Sequence, residues 1–519
     1  MLDPSPAVPA SNDVPASKLV PGRNDGPGPA TARHAATAAR PSLPRILGVV
    51  LGSGVVPGTG HLVTGHKRSG RVILALALLL IAAAVVAGVA VLRSPARAAS
   101  LAVQPHWLTL LRWGVPALAA VWIFLVLWAT ALVRPGRRGA AGRIVAGLAV
   151  LVVVAAVAVP AVEVSRYAGL QLAFVNSVFK EAPVTAPGAS APVSPDVPIK
   201  NGRLNVLLVG SDAGPDRTGV RTDTMILASL DTRTGRTVLF TLPRNLERVP
   251  FTPGSVMARQ FPSGFVGSCA PDCLLNAVYH YAATNRPDLF PGDPDPGMTA
   301  LRSAITEILG VPVDYQANVD LAGFAKLVDA LGGVTIRVER RLPIGGLDAF
   351  GNHVRPAGYI QPGLQHMNGD TALAYARSRS DSSDYERVQR QRCLLGAIQR
   401  QADPTNVLAN FSQLASSTAD ALQTDIPRSL LPDLVKLAFK VKSQPVLSLT
   451  FTPPLINTAR PDFTAIRAAV QAALVATPTA SSPSPSPSTS PSTGPSTTPS
   501  APVTPPGTPV SVADVCQYS

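Results

Sequence analysis

The amino-acid sequence predicts an α/β protein: a mixed central sheet flanked by helices, preceded by three transmembrane helices. Three observations predict it. Long uncharged apolar runs fill residues 72–92, 113–133 and 144–162. Short β-branched segments alternate with helical ones between residues 201 and 476. Stretches rich in Pro, Ala, Ser and Thr separate these regions from each other and from the ends of the chain.

Taken in order, residues 1–45 have the composition of a disordered tail. Residues 46–166 form the membrane region. Its three apolar runs are each long enough to cross about 30 Å of hydrocarbon as a helix. Pro116 and Pro160 fall near segment ends, where neighbouring helices can satisfy freed backbone groups. Residues 46–64 are Gly-rich and broken by Pro57, which suits an interfacial or re-entrant segment, with a fourth span as the alternative. Arg40, Arg45, Lys67, Arg68 and Arg71 precede the first span, and Arg134, Arg137, Arg138 and Arg143 fill the second loop. The first loop carries fewer cations, Arg93, Arg97 and Arg112. This bias keeps the N-terminus cytoplasmic and sends everything after the third span outside the cell membrane. A secretory signal peptide is excluded, because the first run is too long and starts too far into the chain.

Residues 167–200 read as a Pro/Ala-rich stalk, 201–476 as the folded domain, 477–510 as a Pro/Ser/Thr-rich disordered tail, and 511–519 as a C-terminal segment. The net charge of +14 does not argue for nucleic acid, because many of the cations flank the spans. All four cysteines, Cys269, Cys273, Cys393 and Cys516, lie in the external part. An even number in an oxidising compartment suits two disulfides; Cys269 with Cys273 and Cys393 with Cys516 is the favoured pairing of three. No histidine stands at zinc-ligand spacing beside them.

Inside the domain, RLNVLLVGS, DTMILASLD and TVLFTLP read as strands, with the turn-rich TRTGR joining the last two into a hairpin. In an antiparallel hairpin the start of one strand lies beside the end of the next, so Asp223 and Arg244 emerge at one edge. TALRSAITEILG is a helix stopped by Gly310, YQANVD a strand, LAGFAKLVDALGG a helix and VTIRVE a strand. GDTALAYAR is a helix that delivers Arg377 and Arg379 at its end. In the helix YERVQRQRCLLGAIQRQA, Arg387 and Gln391 are four apart and share a face. VLSLTF closes the domain as a strand. Leu207, Ile226, Phe240 and Leu242 read as sheet core rather than a lipid channel. His280, His353 and His366 have no matching partners, so an exposed or satisfied imidazole is the simpler reading.

The run NVLLVGSDAG, then RTDTMIL, then LPRN, and later TALAYARSRSDSSDYERVQRQR, resembles the LytR-CpsA-Psr family of cell-wall assembly enzymes over about residues 203–402. The resemblance implies an LCP-type external domain and a membrane-anchored phosphotransferase. Its polyprenyl (undecaprenyl) pyrophosphate carrier would give up a glycopolymer, which becomes attached to peptidoglycan through a phosphodiester. Carried over residue by residue, it implies that Asp212 and Asp223 bind Mg²⁺ or Mn²⁺ and that Arg244, Arg377 and Arg379 hold the pyrophosphate as catalytic groups. Arg387 and Gln391 would line the same pocket, and Arg221 would orient a carboxylate or phosphate. Guanidinium forks bind phosphate oxygens bidentately, and magnesium prefers one or two carboxylates with phosphate and water, so the residue types suit that chemistry. The general base would be Asp223 or a metal-bound water. Two positions depart from the family pattern: Asn245 stands where an acid is usual, and Leu274 where a lysine is frequent.

Two other functions share this residue set, a hydrolase that spends the same lipid on water and a non-catalytic regulator or wall-binding protein. The predicted topology weighs against a nucleic-acid role, since it leaves only about 45 mostly disordered residues in the cytoplasm. Each arginine taken singly has an ordinary explanation as a solvated or paired surface cation. Asp212 and Asp223 could each be turn or strand-end residues. It is the order of the set that points to one site.

Overall fold

The computed structural model describes residues 42–133, 140–179, 202–212, 221–270, 272–347, 352–402, 422–475 and 507–512. Most of the expected N-terminal tail, the Pro-rich part of the stalk and the tail through residue 506 lie outside the described residues.

Residues 46–64 fold as a helical hairpin of α1 (Leu43–Val55) and α2 (Thr59–Val63). A side chain at Gly60 would place its Cβ 2.2 Å from Ser53 Oγ, so glycine is what lets α2 lie on α1. At 13 residues, α1 spans about 20 Å, short of a bilayer. Among the described residues, three helices are long and apolar enough to cross a membrane: α3 (Lys67–Arg93), α5 (Pro105–Leu132) and α6 (Ala140–Val178), with α4 (Pro95–Ala102) joining α3 to α5. Ile46, Val49 and Val50 of α1 are buried against Val126 and Ala129 of α5 and Ala146 and Val153 of α6.

The sequence assigned residues 167–178 to the stalk, yet α6 continues through them. The reason is packing: Val175 is fully buried with Val103 and Leu431, so this turn gains a partner that composition does not reveal. Gln171 Nε2 donates to Ala102 O at 2.7 Å and Ser165 Oγ to Arg112 O at 2.7 Å, tying α6 to the end of α4 and to α5.

The domain is built on β1 (Arg203–Asp212), β2 (Arg221–Asp231) and β3 (Thr237–Leu242), which form an antiparallel meander. Asp231 Oδ1 accepts from Arg233 N and Thr234 N and fixes the turn between β2 and β3. The short helices α7 (Val256–Gln260) and α8 (Val278–His280) follow, then α9 (Pro296–Leu309), ended by Gly310 at φ 68°. Beyond lie β4 (Tyr315–Asp320), α10 (Leu321–Ala330), β5 (Val334–Val338), β6 (Leu342–Ile344), β7 (Gly358–Ile360) and β8 (Gly363–Met367). The chain continues with α11 (Gly369–Arg377), α12 (Asp384–Gln401), β9 (Leu422–Thr424), α13 (Leu431–Lys442), β10 (Val446–Thr450), α14 (Phe463–Val475) and β11 (Val510–Ser511).

Among the described residues, seven strands make the central sheet, in the order β11-β10-β3-β2-β1-β4-β9, with parallel pairs at β1–β4 and β3–β10. It is a mixed sheet flanked by helices. VTIRVE is a strand, but β5 pairs with β8 in a separate two-stranded ladder rather than joining the central sheet. Leu207, Phe240 and Leu242 belong to the large core on one face, with residues of α9 and α14. On the other face, Leu204 and Val206 pack under Leu430 and Leu437 near α13. A second core joins β5, β6, β7 and β8 to Tyr375 of α11 and Cys393, Leu394 and Ala397 of α12.

Cys269 and Cys273 form a disulfide with a Cα–Cα distance of 5.1 Å. Cys393 is buried and disulfide-bonded, while Cys516, its expected partner, lies outside the described residues. Val510, the last residue assigned to the tail by composition, instead starts β11 and pairs with Ser448.

Candidate active site

Strand directions decide what meets at the sheet's edge. β2 begins where β1 and β3 end, and β10 runs parallel to β3, so four strand ends converge there. In the ladder between β1 and β2, Gly210 opposes Thr224 and Ser211 opposes Thr222, leaving Asp223 as the extra residue of a β-bulge. A bulge re-aims the side chain it carries. Asp223 Oδ1 accepts from Arg244 Nη1 at 2.7 Å, with both side chains about a quarter exposed.

Arg244 sits in the loop after β3, and that loop is pinned from outside. Asn276 N donates to Arg244 O at 3.0 Å and Leu275 N to Leu246 O at 2.9 Å, so the segment after the Cys269–Cys273 disulfide fixes its path. From the other side, α12 starts with a capping box: Ser383 Oγ accepts from Glu386 N, and Glu386 Oε2 accepts from Ser383 N. One turn in, Arg387 is 4% exposed and its Nη1 donates to Asp223 O at 3.3 Å.

Burial alone would push the Asp223 carboxyl up; Arg244, by charge and hydrogen bond, and then the charges of Arg387 and Arg379 outweigh it and hold the pKa below the ordinary carboxylate value. Asp223 is therefore ionised at neutral pH inside a field of three guanidinium groups. Arg379 is half-buried. Arg377, two residues earlier at the end of α11, is exposed. Gln391 is half-buried on α12, one turn beyond Arg387. The side chains of Asp212 and Arg221 lie outside the described residues; their backbones face each other where β1 and β2 meet.

One residue that sequence reasoning passed over holds the second half of the site. Arg390 is 6% exposed and its Nε donates to Tyr375 O at 3.1 Å, while Nη2 donates to Ser378 O and to Ser382 Oγ. It ties α12 to the segment that carries Arg377 and Arg379. Its signal was the spacing with Arg387, three residues along the same helix. Of the two departures, Asn245 reaches Thr458 Oγ1 through Nδ2 at 3.4 Å, and Leu274 bridges to Glu247. No group of three or more His, Cys, Asp or Glu side chains able to hold a metal is found among the described residues.

A bulged carboxylate ringed by arginines lies at the edge of a mixed sheet that follows membrane-length helices, and guanidinium groups so placed are of the kind that pair with oxyanions. Residues 175–459 match the LytR_cpsA_psr family, and the chain belongs to it. Among relatives, it is 24% identical over 245 residues to the polyisoprenyl-teichoic acid–peptidoglycan teichoic acid transferase TagU of Enterococcus faecalis, covering 46% of this chain and 66% of that one. It is 26% identical over 248 residues to the cell wall biosynthesis protein LcpA of Corynebacterium glutamicum, covering 44% and 45%. The Streptococcus mutans biofilm regulatory protein A is 24% identical over 248 residues, covering 46% and 54%. The chain thus spans roughly half to two thirds of these proteins. A solved structure of TagT bound to LIIa-WTA superposes with a TM-score of 0.38 at 20% identity, covering 56% of this chain and 97% of that one.

Proposed function

We propose that this protein is a membrane-anchored phosphotransferase that moves a glycopolymer from a polyprenyl diphosphate carrier onto peptidoglycan. The observation that carries the reading is the Asp223 carboxylate held among Arg244, Arg379 and Arg387 at the sheet edge. Family membership and the transferase name of the Enterococcus relative support it.

In the reaction, a peptidoglycan hydroxyl oxygen attacks the phosphorus nearer the glycan. A P–O bond forms to that oxygen, the bridging P–O bond to the lipid phosphate breaks, the hydroxyl proton passes to a base, and polyprenyl phosphate leaves. Phosphoryl transfer needs positioning and charge neutralisation more than a covalent nucleophile. Arg244, Arg379 and Arg387 would hold the non-bridging oxygens, and Arg377, exposed at the rim, would meet the polymer-side phosphate. Arg390 would keep Arg379 placed. Magnesium or manganese fits this edge, because Asp223 is ionised and keeps one oxygen clear of its Arg244 bond, while Asp212 ends the adjoining strand. When bound, the cation would neutralise phosphate charge.

The membrane side follows from the cation bias, with the N-terminus cytoplasmic and the domain outside. Support comes from α4, which joins the first two spans and packs on α13 of the domain, so that loop and domain share a side. The test is mass spectrometry of lipid co-purifying with the full chain in detergent. Wild type should retain a polyprenyl diphosphate or its glycan-linked form, and Arg379→Ala should lose most of it; equal retention in both removes the arginines from the site.

A further inference from the structure

Residues 334–344 and 358–367, outside the central sheet, are the two arms of one bent antiparallel hairpin. Val334 opposes Met367 and Val338 opposes Gly363 in its first part, and Leu342 opposes Ile360 in its second. Side chains alternate between its faces. Val334, Ile336, Val338, Leu342, Ile360 and Met367 are buried in the core shared with α11 and α12, which fixes the hairpin to the domain. The outer face carries Arg337, Arg341, Tyr359 and Leu364, all exposed. Among the described residues beyond the spans, five large apolar side chains are exposed, and three of them, Val354, Tyr359 and Leu364, belong to this hairpin. Apolar exposure gathered in one place marks a contact surface.

The Arg341 guanidinium lies over the Tyr359 ring, 3.5 Å from its centroid. A stacked guanidinium is held flat and keeps its in-plane N–H donors for a carboxylate. Among the described residues neither Arg337 nor Arg341 has an acid partner, and Glu339, between them in sequence, pairs with neither. The hairpin also adjoins the site. Ser378 Oγ donates to Pro343 O at 2.9 Å, and a Cβ on Gly346 would come within 2.8 Å of Ser380 Oγ, so the residues on either side of Arg379 both rest against it. Pro343 stands opposite Tyr359, which puts the Arg341–Tyr359 stack one strand away from the segment that carries Arg379. The spans, by contrast, meet the domain at α13 and β9.

We propose that this outer face is where the acceptor docks, and that its occupant is a peptidoglycan strand. Arg341, held on Tyr359, and Arg337 take carboxylates of the stem peptides, while Tyr359 and Leu364 take the apolar C–H faces of the sugar rings. A polyprenyl tail offers nothing to two guanidinium groups, and the carrier's phosphates are met at the Asp223 edge; a glycan bearing carboxylates offers both kinds of contact. The inference rests on the transferase reading above and gives the second substrate its place, with its hydroxyls led past Arg379.

The test is co-sedimentation of the full chain in detergent with purified, polymer-free peptidoglycan, alongside calorimetric titration with farnesyl diphosphate. Arg341→Ala and Tyr359→Ser should each weaken peptidoglycan binding by about tenfold, the worth of one charge-assisted or well-packed contact. Farnesyl diphosphate affinity should stay at the wild-type level in both, and Tyr359→Phe should bind peptidoglycan as wild type does. Amidating the peptidoglycan carboxylates should bring wild type down to Arg341→Ala and leave that variant unmoved. In the transfer reaction, KM for peptidoglycan should rise in both variants at constant KM for lipid-linked polymer. Peptidoglycan binding that is absent in wild type, indifferent to amidation, or unchanged in both variants overturns the docking face. Loss of peptidoglycan and farnesyl diphosphate together, with a lower melting temperature, assigns these residues to packing and overturns it too. A KM that rises for the lipid-linked polymer instead makes this a donor surface and overturns the acceptor assignment. Peptidoglycan binding lost in the variants, from a wild type that neither binds the lipid nor transfers polymer, keeps the docking face and removes the transferase reading alone.

Discussion

Asp223 shows how one residue can be selected by several weak constraints acting together. The bulge turns it out of the ladder, Arg244 grips one oxygen, and Arg387 holds its carbonyl. Asp223→Asn keeps the shape and removes the charge, leaving three guanidinium groups to repel each other. Transfer should drop by about 10²–10³, the usual cost of losing one preorganised electrostatic partner; initial rates of polymer attachment check this. The sign of the pH effect is fixed by the direction of the shift. A carboxyl whose folded pKa is depressed contributes stability above its unfolded value, and loses it as pH falls through the lower folded value. Urea melts of wild type and Asp223→Asn should therefore differ by a constant amount from neutral pH to about pH 5 and converge in stronger acid.

At the scale of elements, the site depends on how α11 and α12 are seated. A Cβ on Gly369 would approach Ala325 O to 2.0 Å, so α11 touches α10 backbone to backbone. Gly369→Ala should force the helices apart, cost about 1–3 kcal/mol and displace Arg379; a lower melting temperature together with weaker diphosphate binding is the expected result. On the far side, Val512 is 1% exposed and lies against Gly396 of α12, beyond the edge strand β11. Val512→Asp would bury an unpaired charge and should lower the melting temperature by several degrees. The strands and helices that carry Asp223, Arg244, Arg379 and Arg387 were legible because period, turn chemistry and caps are local. The bulge, the role of Arg390 and the return of residues 507–512 to the sheet were not, because each depends on a partner distant in sequence. The helical continuation through Val178 was hidden for the same reason: its partners are Val103 and Leu431.

At the scale of the whole molecule, the domain does not simply hang from a stalk. α6 runs from the membrane region to Val178, and α4 packs on α13, so the sheet is held at a set relation to the spans. A lipid headgroup that reaches the Asp223 edge must do so within that geometry. Orientation is checked by single cysteines: exposed Arg97→Cys should react with a membrane-impermeant maleimide in intact cells, and exposed Lys67→Cys should not. The reverse pattern would put the domain on the wrong side for wall assembly. The most direct test of the central claim is a transfer reaction with the full chain in liposomes, a radiolabelled glycopolymer on polyprenyl diphosphate, and peptidoglycan. Wild type should attach label to peptidoglycan and release polyprenyl phosphate in equal amounts, with Arg244→Ala and Arg379→Ala at least about 10² slower. Free polymer released without attachment, or undiminished attachment by both variants, would contradict the account.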